Sequence, residues 1–151
     1  MTNLIDLDKK HFIHPTSSIK QQQEQGPAFI FEEGDGIYLK DVNGNEYIDA
    51  ISSLWNVNVG HGREELADAA HEQIKKMAFS SAFSTFSHEP AIRLAEKIAN
   101  ITPGDLNAVF FTSGGSESND SAFKLARYYW RLQGKPERKK IIARKKAYHG
   151  V

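Results

Sequence analysis

Apolar residues recur at helical spacing in three stretches of the chain. This spacing predicts helices over residues 63–78, over about 89–100, and from 116 or 117 to about 132. Short apolar runs flank the third helix at 108–112 and 140–144 and predict two buried strands. A strand–helix–strand order of this length is typical of a right-handed βαβ unit with parallel strands. The pattern therefore predicts an α/β fold.

The first part of the chain has a different pattern. Residues 1–26 are polar around a run of glutamines, and we expect them to be loosely structured up to the Gly26-Pro27 break. Two short β-rich runs, 37–39 and 47–48, flank Asn43-Gly44. This arrangement predicts a β-hairpin whose tight turn needs positive φ at both Asn43 and Gly44. Residues 50–60 and 79–88 show no clean period and are expected to be irregular.

Composition restricts the class of protein. The 151 residues are 40% hydrophobic and 25% charged, with zero net charge and no cysteine. These values indicate a globular chain and exclude a disulfide framework and thiolate chemistry. No apolar run is long enough to span a membrane, and the N-terminus lacks a signal-peptide core, so we expect a cytoplasmic protein without a membrane partner. The histidine spacing matches no metal motif, and no metal is expected.

The charge is unevenly distributed along the chain. Residues 124–151 contain ten Lys and Arg against one acid, Glu137, a net charge of +9, and the rest of the chain carries the balancing −9. A basic end is compatible with nucleic-acid binding, but no RNA- or DNA-binding motif accompanies it. We therefore expect no nucleic-acid partner, and interpret the basic residues as a solvated face or a face that meets other chain segments.

The loops that follow the two predicted strands carry the candidate chemistry. Parallel strands open their carboxyl-end loops on one sheet edge, so Ser113–Ser116 and Ala147–Gly150 are expected to lie together. The first loop leads into a helix N-terminus, where free N–H groups and the helix dipole attract an anion. Tyr148 adds an aromatic plate. A plain turn at the first loop and simple packing of Tyr148 remain open as alternatives.

The glycine-rich loop Ser113–Ser116 is not one of the common nucleotide-binding motifs. No Gly-Lys-Ser/Thr follows it, and the dinucleotide fingerprint Gly-x-Gly-x-x-Gly is absent. The pattern instead favours a flat, phosphorylated heteroaromatic ligand.

Trp55 lies in the irregular 50–60 stretch, where it could pack in a core or form a ligand-pocket wall.

Several ordered motifs together resemble a known family. Residues 36–41 with Gly44, then 53–62 (SLWNVNVGHG), then 110–120 (FFTSGGSESND) and 148–150 (YHG), are similar to the N-terminal part of class III pyridoxal-phosphate-dependent aminotransferases. The run 53–57 and the stretch 129–136 look most like the omega-amino-acid–pyruvate or amine–pyruvate branch. The resemblance covers nearly the whole chain in family order.

This resemblance implies a fold and a set of roles. The fold would be the N-terminal part of an aspartate-aminotransferase-like transferase, with a small-domain segment at 1–60 and the start of the large cofactor-binding domain at 61–151. Gly115 and Ser116 match the family's phosphate-binding pair, Tyr148 the aromatic residue that stacks on the cofactor ring, and Trp55 a substrate-pocket residue. The family is dimeric, so a homodimer is implied for the intact enzyme.

The chain departs from the family pattern in the phosphate loop. The usual motif is Ser-Gly-Ser-Glu-Ala, whereas here Gly114 replaces the first serine and Ser118 replaces the alanine. Gly114 removes one hydroxyl and loosens the loop but leaves its backbone donors in place. Glu117 matches the acid of the motif.

The resemblance also implies which groups this chain does not contain. The family's Schiff-base lysine and the aspartate beside the pyridinium nitrogen lie beyond residue 151, and none of the thirteen lysines here matches the lysine motif. We therefore expect no catalytic residue in this chain and no transaminase activity from it alone. The intact enzyme is expected to transfer an amino group from an amine or omega-amino acid to a keto acid such as pyruvate. The alternative is a non-catalytic module that binds a phosphorylated ligand.

Overall fold

The computed structural model describes residues 3–148, and the chain divides into two compact units, Met1–Phe79 and Ser80–Val151. The first unit contains α1 (Leu4–His11), α2 (Ile19–Gln25), β1 (Phe31–Asp35), β2 (Tyr38–Asp41), β3 (Glu46–Ile48), α3 (Ser52–Trp55) and α4 (Glu64–Lys76). The second unit contains α5 (Glu89–Ile101) and α6 (Gly115–Leu132). The domain boundary proposed after residue 60 stays a prediction.

The N-terminal segment is more ordered than its polar sequence suggests. The helices α1 and α2 lie within this segment, so the prediction of loose structure is wrong for Leu4–His11 and Ile19–Gln25. Gln22 connects the two helices with its side chain, which is only 8% exposed. Its amide nitrogen donates to the Phe12 carbonyl, and its oxygen accepts from the His14 N–H at 3.1 Å. A polar bridge of this kind leaves no apolar period in the sequence.

The predicted hairpin is confirmed, with a different turn. Strands β2 and β3 are antiparallel, with Tyr38 opposite Ile48. Gly44 has φ 84°, whereas Asn43 is not among the residues with positive φ. The Gly44 N–H donates to the Asp41 carbonyl at 2.9 Å. The loop is therefore a three-residue type, a type I turn followed by a left-handed glycine, and the prediction of positive φ at Asn43 is wrong.

Asp41 organises this hairpin turn from a position that is only 4% exposed. One carboxylate oxygen accepts the N–H groups of Asn43 and Asn45, each at 2.9 Å. The other accepts the Asn45 side-chain amide at 3.0 Å and the Tyr47 hydroxyl at 3.1 Å. These donors, led by the Asn45 side chain, outweigh desolvation and lower the pKa of Asp41 to about 2.

The three predicted amphipathic helices are confirmed as α4, α5 and α6. The His88 ring accepts the Ala91 N–H at 3.4 Å ahead of Pro90, which occupies the first turn of α5 as predicted. Residues 79–88 form a loop, also as predicted.

The two strands predicted around α6 are not formed. Neither 108–112 nor 140–144 is paired, and β1–β2–β3 is the one sheet among residues 3–148. Parallel strands need neighbours on their edges and cover on both faces. These segments have neither, since Phe110 is 75% and Ile142 is 97% exposed. No hydrophobic side chain among the described residues is buried.

Candidate functional site

The glycine-rich loop leads directly into the first turn of α6. Gly114 is the residue before the helix, with extended backbone, and no side chain caps the turn. The first intrahelical bond runs from the Ser118 N–H to the Gly114 carbonyl at 3.0 Å. The N–H groups of Gly115, Ser116 and Glu117 precede it and have no intrahelical acceptor. This arrangement matches the prediction that the amides stand at a helix terminus, where an anion is stabilised.

A pair of hydroxyl groups restrains this loop. The Thr112 and Ser118 hydroxyls lie 2.5 Å apart, and they lie 3.1 and 2.9 Å respectively from the Gly114 carbonyl oxygen. The two hydroxyl hydrogens are shared among these three contacts. Sequence reasoning assigned no role to Thr112 or Ser118, although the spacing of Ser118 four residues after Gly114 is a signal for such a bond.

The space beside Gly114 contains the end of the Glu117 side chain. A Cβ atom at position 114 would come within 2.9 Å of the Glu117 carboxylate oxygen. Because that atom ends a flexible chain, it could move aside for the serine that the family usually has there. Steric crowding therefore does not require a glycine at position 114.

Tyr148 presents an accessible ring at the end of the described chain. It is 81% exposed and follows a turn in which the Ala147 N–H donates to the Arg144 carbonyl at 3.1 Å. No hydrogen bond or ring contact between Tyr148 and Ser116 occurs within residues 3–148. Their predicted meeting at one sheet edge depended on strands that are not paired, and it stays a prediction. The remainder of that predicted loop, His149 and Gly150, lies outside the described residues.

Trp55 belongs to the first unit and lies at the end of α3. Its ring is 75% exposed, so the alternative of core packing does not match the structure. The surrounding backbone is unusual, because Ser52, Ser53 and Trp55 have φ values of 51°, 60° and 62°. The expectation of an irregular segment here is confirmed, and the role of Trp55 as a pocket wall stays a prediction.

A second cluster, not identified from sequence, includes Ser53 of the α3 segment that ends at Trp55. Asp49, with a side chain 5% exposed, accepts the Ser53 N–H at 2.8 Å and the Ser53 hydroxyl at 3.1 Å. His61 Nε2 lies 2.9 Å from the same carboxylate. The Ser53 N–H, followed by His61, lowers the pKa of Asp49. The i,i+4 spacing of Asp49 and Ser53 is the sequence signal that could have predicted this contact.

The basic end of the chain makes contacts with itself. The guanidinium of Arg138 lies 4.3 Å from the centre of the Trp130 ring, and the Lys135 ammonium lies 5.5 Å from it. Arg127 donates to the Lys139 carbonyl at 3.1 Å. Two of these cations, Lys135 and Arg138, are thus held against one aromatic side chain. Among residues 3–148, no helix is both long and apolar enough to cross a membrane.

Comparisons with known proteins place these features in a family. Residues 19–151 match the family of class-III aminotransferases. The putrescine–pyruvate aminotransferase of Pseudomonas aeruginosa is 42% identical over 95% of this chain and 31% of its own length. The beta-alanine–pyruvate aminotransferase of the same organism is 43% identical over 81% of this chain and 27% of its own length.

Solved structures agree with this assignment. A transaminase from the marine bacterium Virgibacillus is 74% identical, with a TM-score of 0.94 over 98% of this chain and 33% of its own. An (S)-enantioselective omega-transaminase from Thermomicrobium roseum is 46% identical, with a TM-score of 0.93 over 97% of this chain and 33% of its own. The expected fold is thereby confirmed, and the chain spans about a third of the length of these relatives. The chain belongs to the class-III aminotransferases.

Proposed function

We propose that this chain supplies the cofactor-phosphate seat and part of the amine pocket of a pyridoxal-phosphate-dependent transaminase. The intact enzyme transfers an amino group from an amine or omega-amino acid to a keto acid such as pyruvate. The observation that carries the proposal is the uncapped, glycine-rich first turn of α6, which presents several backbone donors and the Ser116 hydroxyl at a helix N-terminus. The family match and the pyruvate aminotransferases among the relatives support it.

The residues present fit the cofactor that the family uses. A phosphate dianion needs several donors that no side chain already accepts from, and the N–H groups of Gly115 and Ser116 at the start of α6 have no side-chain cap. A pyridine ring needs an accessible aromatic face, and Tyr148 is 81% exposed. When bound, pyridoxal phosphate supplies the electron sink for amino-group transfer. In this proposal Ser116 and Gly115 hold its phosphate and Tyr148 orients its ring.

Trp55 is proposed as a wall of the amine pocket. Its exposed ring leaves a broad apolar face available to a substrate. One structural relative, 40% identical to this chain, is a thermostable omega transaminase variant with a tryptophan changed to glycine, engineered for asymmetric synthesis of enantiopure bulky amines. A large residue that limits amine size at Trp55 is in keeping with that design. A cytoplasmic location and a homodimer complete the proposal for the intact enzyme.

The chain alone is proposed to bind the cofactor weakly and to be inactive. Two or three hydrogen bonds to a charged phosphate contribute about 1.5–3 kcal/mol each. Ordering and association offset much of this, so the expected Kd is on the order of millimolar. No lysine in the sequence matches the family's catalytic motif, so turnover is not expected. Incubation of the chain with pyridoxal phosphate, an amine and pyruvate should give no alanine, and alanine formation would contradict this part of the proposal.

The phosphate seat is best tested with a ligand that cannot react with lysine. Pyridoxine 5′-phosphate has no aldehyde, so its binding reports the phosphate and ring contacts alone. Titration followed by NMR should shift the amide signals of Gly115 and Ser116, and pyridoxine without phosphate should not. Ser116→Ala should weaken binding about fivefold or more, because one donor of a charge-assisted bond is lost. Ser87→Ala, an exposed serine of the same unit outside this loop, is the matched control. Equal binding by both variants, or no shift at α6, would refute the phosphate seat.

A further inference from the structure

The α3 segment adopts a backbone that its residues disfavour. Ser52, Ser53 and Trp55 have positive φ although none is glycine, and Ser53 combines φ 60° with ψ −52°. This is the γ-turn region with positive φ, which is rare and strained for residues with a Cβ atom. Leu54 between them, at φ −168° and ψ 58°, is also non-helical. Such a conformation persists only where surrounding contacts determine it.

Asp49 provides those contacts. Its carboxylate accepts the Ser53 N–H at 2.8 Å and the Ser53 hydroxyl at 3.1 Å, so it bonds to both the backbone and the side chain of Ser53. The Ser52 N–H also approaches the Asp49 carbonyl, at 3.4 Å. A carboxylate has enough acceptor sites for these donors and for a further one, whereas an amide side chain does not.

The same carboxylate is tied to the sheet through His61. His61 Nε2 lies 2.9 Å from Asp49, and the side chain of His61 is only 19% exposed. The His61 backbone forms a two-bond bridge with Gly36, at 2.8 and 3.1 Å. Its ring lies so close to Gly34 that a Cβ atom there would come within 2.7 Å of it. His61 therefore connects Asp49 to the backbone of residues 34–36, while Asp49 bonds to Ser53.

The segment so held ends in Trp55, whose ring has no ring contact among the described residues and is 75% exposed. The backbone of residues 52–55 sets the direction in which the Trp55 side chain leaves the chain, because it fixes the Cα–Cβ bond of Trp55. The Trp55 N–H donates to the Ile51 carbonyl at 2.9 Å, which closes this turn.

We propose that Asp49, anchored by His61, is a positioning residue that fixes the left-handed turn at Ser53 and thereby sets the direction in which the Trp55 side chain leaves the backbone. Asp49 touches no reacting atom in this proposal. The positioning of Trp55 is a property of this chain alone, and only the consequence for amine selectivity rests on the proposed function.

The positioning is tested by NMR on the chain itself. Asp49→Ala should accelerate exchange of the Ser53 amide about tenfold or more and change the backbone carbon shifts of Ser53 and Trp55 toward negative φ. Asp49→Asn, which keeps the shape but loses one acceptor oxygen, should give a smaller change of the same kind. Asp68→Asn, an exposed aspartate in α4 of the same unit, should leave these signals unchanged.

A rescue separates positioning from general stabilisation. Glycine adopts positive φ without steric cost, so Ser53→Gly added to Asp49→Ala should return the Trp55 shifts toward those of the unsubstituted chain. If Asp49→Ala and Asp49→Asn both leave the Trp55 signals unchanged, the proposal is overturned. It is also overturned if Asp49→Ala unfolds the first unit and Ser53→Gly gives no recovery, because Asp49 would then act through overall stability.

The functional consequence is measured in the full-length enzyme proposed above. Asp49→Ala should change the ratio of kcat/KM for a bulky and a small amine in the same direction as Trp55→Ala, with partial recovery on adding Ser53→Gly. A ratio that responds to Trp55→Ala and not to Asp49→Ala overturns the positioning role. A ratio that does not respond to Trp55→Ala refutes the pocket assignment of the proposed function instead, and the NMR experiment on the chain still decides the role of Asp49.

Discussion

The Ser118→Ala substitution tests whether the Ser118 hydroxyl orders the phosphate loop around Gly114 without contributing to the stability of α6. The Ser118 and Thr112 hydroxyls have two hydrogens for three contacts, of which two are with the Gly114 carbonyl oxygen and one joins the two hydroxyls. Alanine removes one hydroxyl, so the two possible hydrogen bonds fall to one. The alanine is also the residue usual in the family motif, which makes the substitution small in shape.

The substitution has two opposing effects on stability: it removes a hydrogen bond in the loop and it improves helix propensity in α6. A neutral hydrogen bond contributes about 0.5–1.5 kcal/mol, and the low end applies because Ser118 is exposed and water can replace it. Alanine in the helix interior is more favourable than serine by about 0.5 kcal/mol. The free energy of unfolding of α6 should therefore change little. The loop around Gly114, which gains nothing from the alanine, should open about two- to fivefold more often.

Amide hydrogen exchange measured by NMR distinguishes the two effects. Exchange at residues 112–115 should accelerate by that factor, whereas protection in the body of α6, residues 122–132, should stay equal or increase. Affinity for pyridoxine 5′-phosphate should fall by a similar factor, because the loop must be ordered in the bound state. Ser87→Ala, an exposed serine outside the loop, is the control. The reasoning is refuted if loop and helix lose protection together, or if Ser118→Ala leaves exchange at residues 112–115 unchanged, as Ser87→Ala should.

Three further predictions concern the first unit. Gln22→Leu should lower the stability of the α1–α2 pair by about 1–3 kcal/mol, because the helix bridge is lost and backbone groups lose their partners, and urea unfolding against Gln23→Leu measures it. The pKa of Asp41 is lowered from an ordinary 3.8 to about 2, so ionised Asp41 stabilises the hairpin fully above pH 3.8, and this stabilisation is lost as the pH falls to about 2. The NMR signals of the hairpin should follow this loss, and Asp41→Asn should abolish the pH dependence. Gly44→Ala should destabilise the hairpin by about 1 kcal/mol or more and Asn43→Ala much less, and equal losses in thermal unfolding would restore the two-residue turn that the sequence first predicted.

Local patterns in the sequence were enough to locate the elements whose stabilising contacts are local. The apolar spacing gave α4, α5 and α6 because one helix face is a periodic property of the chain. Asn43-Gly44 located the hairpin because a turn depends on a few adjacent residues. The ordered motifs identified the family, and Gly114-Gly115-Ser116 identified the helix terminus that the structure presents.

Only the tertiary structure decided the features that depend on polar groups meeting across the chain. Gln22 orders the N-terminal helices by bonding to backbone groups, which leaves no hydrophobic period to detect. Asp49, Ser53 and His61 converge although their spacing follows no catalytic motif. The segments 108–112 and 140–144 are apolar enough to be strands, yet a strand also requires a paired neighbour, and hydrogen-bond pairing between distant segments is not encoded in either segment alone.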